Sequence, residues 1–215
     1  MQVIPWRVKN FVSEHFPLAY HLITNRGGNG NSQEHWDIRL AETWDAPNRN
    51  WPAKVDAIAQ TLKCEMSIVD IGCGTGSILR HLQQRGFGNL HGLELSEYAV
   101  RRLSDQGIAV SKGNLVDMPF PTAIFDAAIA SEVLEHIIRR RLFLKELTRI
   151  VKPLGKILIF VPDDTSGPID EPEHVIKYNA HSLGKFLSKF VTIEAITSMV
   201  EPDNGSRSLF AVCRN

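Results

Sequence analysis

Cysteine is scarce: of 215 residues only Cys64, Cys73 and Cys213 are cysteine, and no two share a CxxC spacing. An odd, scattered set excludes a disulfide framework and offers no thiolate zinc motif, so free thiols, a cytoplasmic setting and no metal centre are expected. An excess of one charge is missing too, since 24 Lys and Arg balance 24 Asp and Glu. No global field draws the chain onto nucleic acid or an anionic membrane. No window approaches the roughly 18 apolar residues of a membrane span. The opening MQVIPWRVKNF lacks the apolar core of a signal peptide, so neither leader nor membrane anchor is expected. Internal repeats and low-complexity segments are also absent, and the sequence sets no oligomeric state.

What is present is an ordinary globular composition, 43% apolar, enough to build a substantial core. Its organisation is uneven. All four tryptophans, Trp6, Trp36, Trp44 and Trp51, fall in the first 51 residues. There, VKNFVSEHFPLAYHLI and EHWDIRLAETW read as helices around a flexible RGGNGNS loop, with Trp36, Leu40 and Trp44 on one face at i, i+4, i+8. Pro52 is placed to open a further helix, WPAKVDAIAQTL. Residues 1–60 thus read as a helical cap segment, and residues 61–215 as the main domain.

From Ser67 strand and helix alternate. SIVDI, NLHGLEL, IAVSKG and AIFDAAIA read as strands. TGSILRHLQQRG reads as a helix stopped by Gly86, and SEYAVRRLSDQG as one capped by Ser96 and stopped by Gly107. A single helix is expected over EVLEHIIRRRLFLKELTRIV, ending before Pro153, after which Gly155 opens a fifth strand, KILIFVP. HSLGKFLSKF reads as a helix, and VTIEAITSMV with SLFAVCR as an antiparallel hairpin at the sheet edge. This rhythm predicts an α/β, doubly wound, mostly parallel seven-stranded sheet with helices on both faces.

In such a sheet, ligands sit at the carboxyl ends of the strands, which is where IVDIGCGTG falls. Its Gly72, Gly74 and Gly76 follow GxGxG, not the GxGxxG of a dinucleotide site, and Ser77 stands at the third glycine position. Asp70, two residues before the turn, repels a pyrophosphate and attracts a cation. Glu94, ending the second strand, suits the two hydroxyls of a ribose. The pair fits a nucleoside carrying a positive charge, such as S-adenosylmethionine; a nicotinamide-dependent oxidoreductase and a non-catalytic cofactor-binding module stand as alternatives.

The ordered set VDIGCGTG (69–76), GLELSEYAV (92–100), GNLVDMPF (113–120), FDAAIASEVLEHI (125–137) and LTRIVKPLGKILIFVP (147–162) resembles the class I S-adenosylmethionine-dependent methyltransferases, particularly the branch with the quinone-biosynthesis enzymes. The resemblance covers about half the chain. It implies a cofactor seat made by Gly72, Cys73, Gly74 and Gly76, with Asp70 on the ammonium and Glu94 on the ribose. Leu95 and Leu115 would sandwich the adenine, and Asn114, where the family usually has aspartate, would offer its amide carbonyl to the adenine amino group. Ser131 and Val133 would flank the methionine chain. EHWDIR resembles a tryptophan-x-x-arginine arrangement of some relatives, making Arg39 a candidate clamp on the cofactor's carboxylate.

For catalysis His136 is the first candidate base, His174 in PEHVIKY the second and Tyr178 the weakest; each also reads as a structural group. Arg139–Arg141 read as a solvated helix face. Asp163, Asp164, Asp170, Glu171 and Glu173 place acids near the acceptor side and disfavour RNA. The fourth strand lacks the Asp/Asn-Pro-Pro-aromatic signature of nucleobase amino-methylating enzymes. A small-molecule acceptor is therefore expected, with no nucleic acid.

Overall fold

The structure, a computed structural model, describes residues 31–46, 50–163 and 173–215 and a few single positions before residue 20. Most of the expected helix over residues 8–23, most of the RGGNGNS loop, and Asp164, Asp170 and Glu171 lie outside the described residues. Helix α1, Gln33–Thr43, begins where the Ser32 hydroxyl accepts the His35 N–H at 3.1 Å. Helix α2, Pro52–Thr61, opens on the expected proline, and its first N–H groups, those of Ala53 and Lys54, donate to the Glu201 carboxylate at 3.0 and 3.1 Å.

Then follow β1 (Ile68–Ile71), α3 (Ser77–Gln84), β2 (Leu90–Glu94), α4 (Glu97–Asp105), β3 (Val110–Lys112) and β4 (Phe125–Ser131). The chain continues through a 3₁₀ turn, Leu134–His136, into α5 (Arg140–Ile150), β5 (Val151–Pro162), α6 (Ala180–Leu187), β6 (Thr192–Val200) and β7 (Arg207–Arg214). Ser96 caps α4 as expected, its hydroxyl accepting the Ala99 N–H at 3.2 Å. The seven strands form one sheet in the order β3-β2-β1-β4-β5-β7-β6; β1 to β5 are parallel, and β7 runs antiparallel to both neighbours. The order reverses between β1 and β4, so the crevice where ligands bind opens beyond their carboxyl ends.

Alternation along β5 separates the two faces. Ile157, Ile159 and Val161 bury against Phe143, Leu144 and Leu147 of α5 and Leu183 and Leu187 of α6. Leu158 and Phe160 face the other layer, with Val55 and Ile58 of α2 and Ile78 and Leu82 of α3. Each such fully buried side chain contributes about 1.5–3 kcal/mol. Outside these layers, α1 is fastened to the start of α4 by Asp37, whose carboxylate accepts the Ser96 hydroxyl (2.6 Å) and the Tyr98 N–H (3.0 Å).

Two expectations are corrected. The helix expected to run unbroken from Glu132 is a 3₁₀ turn, an extended Ile137 and only then α5. The carbonyl of Glu135, which a continuing helix would use, accepts the N–H groups of Val175 (2.9 Å) and Ile176 (3.3 Å) instead. Strand β5 begins at Val151, not Gly155: Val151 pairs with Phe125, the register then shifts, and regular pairing resumes at Lys156. Gly155 sits inside that irregularity, where a Cβ would lie 2.8 Å from the Asp126 carbonyl oxygen.

Candidate active site

The turn after β1 uses its three glycines differently. All have positive φ, 69°, 54° and 73° for Gly72, Gly74 and Gly76, a region that strains other residues. A Cβ on Gly72 would stand 2.8 Å from Val133 Cγ2, and one on Gly76 would stand 2.6 Å from Leu103 Cδ2. Those two let the turn pack against β4's end and α4. A Cβ on Gly74 would meet nothing within 4 Å, because Gly74 faces a cavity of about 400 Å³.

Four of the turn's N–H groups are already engaged. Gly72 and Cys73 donate to the Leu93 carbonyl (2.7 and 3.1 Å), and Gly76 donates to that of Cys73 (2.8 Å). Gly74 donates to Glu94 Oε2 at 2.8 Å, while Glu94 Oε1 accepts from Leu95 (2.8 Å) and Ser96 (2.9 Å). Burial lifts the Glu94 carboxyl above its ordinary range, against the pull of those three N–H groups. Asp70 is 2% exposed; burial first, and the Glu94 charge second, push its carboxyl up to about 8. Both acids line the cavity, an environment that rewards a ligand cation and hydroxyl donors.

Of the residues expected to hold a cofactor, Asp70, Gly72, Cys73, Gly74, Glu94, Leu95, Asn114, Leu115, Ser131 and Val133 all line this cavity. Asn114 Oδ1 accepts the Val116 N–H at 3.1 Å, which fixes the amide and leaves one lone pair. Gly76 is not among the lining residues and serves packing instead. Arg39 does not line the cavity either: its Nε lies 3.5 Å from Glu173 Oε1. From the EHWDIR motif it is Trp36, with Leu40 one turn on, that reaches the cavity wall.

At the far end His136 lines the cavity, its ring edge-on to Trp36 at 5.2 Å and to His174 at 4.8 Å. Its Nδ1 lies 3.1 Å from the Glu173 carbonyl oxygen, and burial lowers its pKa. His174 stands behind His136, away from the lining, with its pKa lowered to about 3 by burial and then by His136. Both imidazoles are neutral at pH 7. Tyr178 is 2% exposed, outside the lining, and accepts from Arg140 Nη1 at 3.2 Å. The arginine triplet is no uniform solvated face: Arg139 lines the cavity, and Arg140 lies over the Phe186 ring at 4.8 Å. Of the acidic loop, Asp163 and Glu173 are buried in internal bonds, Asp163 accepting the Ser198 hydroxyl at 2.6 Å. Neither supplies the repulsive surface expected against RNA.

Glu132 was not anticipated. It lines the cavity with a left-handed backbone, φ 56°, and its Oε1 accepts from the wholly buried Lys54 Nζ (2.8 Å) and from Ser208 Oγ (3.2 Å). Lys54 also lies 3.9 Å from the centre of the Trp51 ring. A lysine in an amphipathic helix gives no sequence signal for burial against a strand end so distant in the chain.

Comparison with known proteins agrees with this arrangement. The chain is 37% identical over 123 residues to a tRNA (carboxymethyluridine(34)-5-O)-methyltransferase of Arabidopsis thaliana, covering 54% of the chain and 30% of that relative. It is 32% identical over 102 residues to a probable chloroplastic tocopherol O-methyltransferase of Oryza sativa subsp. japonica, covering 43% and 28%. The match thus spans only about three tenths of these relatives' own length. Among solved structures, the fold is shared with the 1,6-didemethyltoxoflavin-N1-methyltransferase of Burkholderia thailandensis (TM-score 0.71, 15% identity, 85% of this chain and 86% of that one). It is shared also with a SAM-dependent methyltransferase of Aquifex aeolicus (TM-score 0.63, 18% identity, 82% and 97%). Residues 69–159, which hold the glycine turn, both acids and the 132–136 corner, match the family described as the methyltransferase domain.

Proposed function

We propose that the chain transfers a methyl group from S-adenosylmethionine, by in-line displacement at the sulfonium, to a small-molecule acceptor. The observation that carries this reading is the state of the turn. Four of its N–H groups are committed to Leu93, Cys73 and Glu94, and two buried acids face the cavity beside them. Two carboxylates beside the turn repel a pyrophosphate, which disfavours the nicotinamide alternative. A donor with an ammonium and a ribose finds Asp70 and Glu94 matched to those groups.

When bound, the sulfonium supplies an electrophilic methyl. The protein's part is placement. Asp70, whose ionisation burial opposes, regains it beside the ammonium; Glu94, oriented by three N–H groups, takes the ribose hydroxyls. Leu95 and Leu115 pack on the base, Asn114 meets its edge, and Cys73, Ser131 and Val133 line the methionine chain. The cap segment, residues 1–60, closes the acceptor end with Trp36, Leu40 and Trp51 and excludes water. His136, neutral and on the wall there, is the candidate to receive an acceptor proton.

A cavity of about 400 Å³, walled at the acceptor end by Trp36, Leu40 and Trp51, supports a small acceptor, as does the tocopherol relative. Unpaired thiols at Cys64, Cys73 and Cys213 support a cytoplasmic setting, and no described helix is long and apolar enough to cross a membrane. The test is incubation of the full chain with methyl-labelled donor, a small-molecule extract and, separately, total tRNA. Label is expected in the small-molecule fraction. Label on tRNA alone would replace the acceptor class, and donor binding without turnover would make the chain a binding module.

A further inference from the structure

A second concavity, of about 250 Å³, shares no lining residue with the large cavity. Half of its lining is cationic: Arg140 from the start of α5, Lys177 from the segment that follows Glu173, Lys185 from α6 and Lys189 just past that helix. No acid lines it among the described residues. A run of lysines along one element is usually a solvated face, but these cations come from three separate stretches of chain and meet over an apolar floor. Ile176, Tyr178 and Phe186 in that floor are 4%, 2% and 9% exposed. Gathering like charges is unfavourable, and the repulsion is relieved when an anion sits among them.

The donors are arranged for such an anion. Arg140 is held by its guanidinium lying 4.8 Å over the Phe186 ring and by Nη1 donating to the Tyr178 hydroxyl at 3.2 Å. Those contacts fix the plane of the fork and leave its other N–H groups to a ligand oxygen. The Tyr178 hydroxyl, having accepted that bond, keeps its own proton to donate. Ser182 adds no donor, because its hydroxyl donates to the Asn179 carbonyl at 3.1 Å and accepts the Asn179 N–H at 3.0 Å. Among the described residues Arg140, Lys185 and Lys189 form no ion pair. Glu135 bears on Tyr178 from the protein side, but burial opposes its charge.

We propose that this pocket is a second ligand site, for a small soluble phosphoryl-bearing anion with two or more negative charges. A planar fork suits two oxygens of one phosphoryl group, and three ammonium groups act as point charges around the rest. A singly charged carboxylate would leave most of that charge unmatched. The bound anion would join α5, the 173–178 segment and α6. That segment is tied to the acceptor end, since Val175 and Ile176 donate to the Glu135 carbonyl at 2.9 and 3.3 Å. The site therefore lies behind the acceptor wall and stands whether or not the methyl-donor reading does.

The test is calorimetric titration of the full chain with sodium pyrophosphate at low salt. One equivalent is expected to bind with a dissociation constant of about 100 µM or tighter, weakening as salt is raised. The double variant Lys185→Gln/Lys189→Gln, at two exposed positions, should weaken it about tenfold or more, while Lys63→Gln, an exposed lysine elsewhere, should change nothing. Saturating pyrophosphate should leave the affinity for S-adenosylhomocysteine unchanged, because the two sites share no residue. Absence of heat up to about 5 mM pyrophosphate, binding indifferent to the double variant, or binding weakened equally by Lys63→Gln overturns the site. Displacement of S-adenosylhomocysteine by pyrophosphate would put the anion in the large cavity and overturns it too. Sedimentation with phosphatidylglycerol vesicles without pyrophosphate binding would assign the basic face to a bilayer in place of a soluble ligand, and that also overturns the proposal.

Discussion

The two ends of the cavity are built in opposite ways. At the donor end, Asp70, the glycine turn and Glu94 come from neighbouring strand ends, and four of the turn's N–H groups and both Glu94 oxygens are paired within the protein. At the acceptor end, Trp36, Trp51, Glu132, His136 and the segment from Glu173 come from distant parts of the chain, and among the described residues the Glu135 carboxylate has no hydrogen-bond partner. A preorganised end can receive one fixed ligand without rearrangement. An end with unsatisfied buried groups marks where chemistry is left for an occupant to complete.

The sharpest way to break the donor end is Glu94→Ala, which strips three N–H groups of their acceptor. The dissociation constant for S-adenosylhomocysteine should rise about 100-fold by calorimetry. Next come the glycines, which separate packing from binding. Gly76→Ala should cost about 2–3 kcal/mol in urea unfolding, because its Cβ collides with Leu103. Gly74→Ala should cost only about 1 kcal/mol of stability yet weaken donor binding more; unchanged affinity would mean the ligand does not approach there.

Asp70→Asn tests the charge. The folded carboxyl is raised to about 8, so the stability it contributes is complete below its ordinary pKa, near 4, and is lost as pH rises towards 8. The wild type should therefore lose stability across that window, and Asp70→Asn should flatten the loss, gaining about 2 kcal/mol near pH 7.5 in urea unfolding of the ligand-free chain. Wild-type affinity for S-adenosylhomocysteine should tighten from pH 6 to 8 and become weaker and flat in the variant. The smallest effect is expected for Arg39→Ala, at most about twofold on donor affinity, because its guanidinium lies beside the buried Glu173 carboxylate and outside the cavity lining. A tenfold loss would restore the arginine clamp.

The same contrast decides what could be read in advance. The sheet, Ser96 as a cap, Pro52 as a helix start and the acids flanking the glycine turn are local signals, set by alternation, caps and turn chemistry within a few residues. The break between Glu132 and Arg140 was not legible, because the apolar spacing there is helical and the competing N–H groups come from Val175 and Ile176. Glu132 was hidden for a similar reason: its significance comes from Lys54 and Ser208, each more than seventy residues away. In EHWDIR helix geometry turns Trp36, with Leu40 one turn on, to the cavity wall and leaves Arg39 beside Glu173.

The central claim is that two buried acids beside the glycine turn select a cationic nucleoside over a dinucleotide. Calorimetric titration of the full chain with S-adenosylhomocysteine and with NAD, repeated on Glu94→Ala, tests it directly. Binding of S-adenosylhomocysteine at one site, its loss in the variant, and no heat from NAD are the expected results; NAD binding while S-adenosylhomocysteine does not would contradict the account.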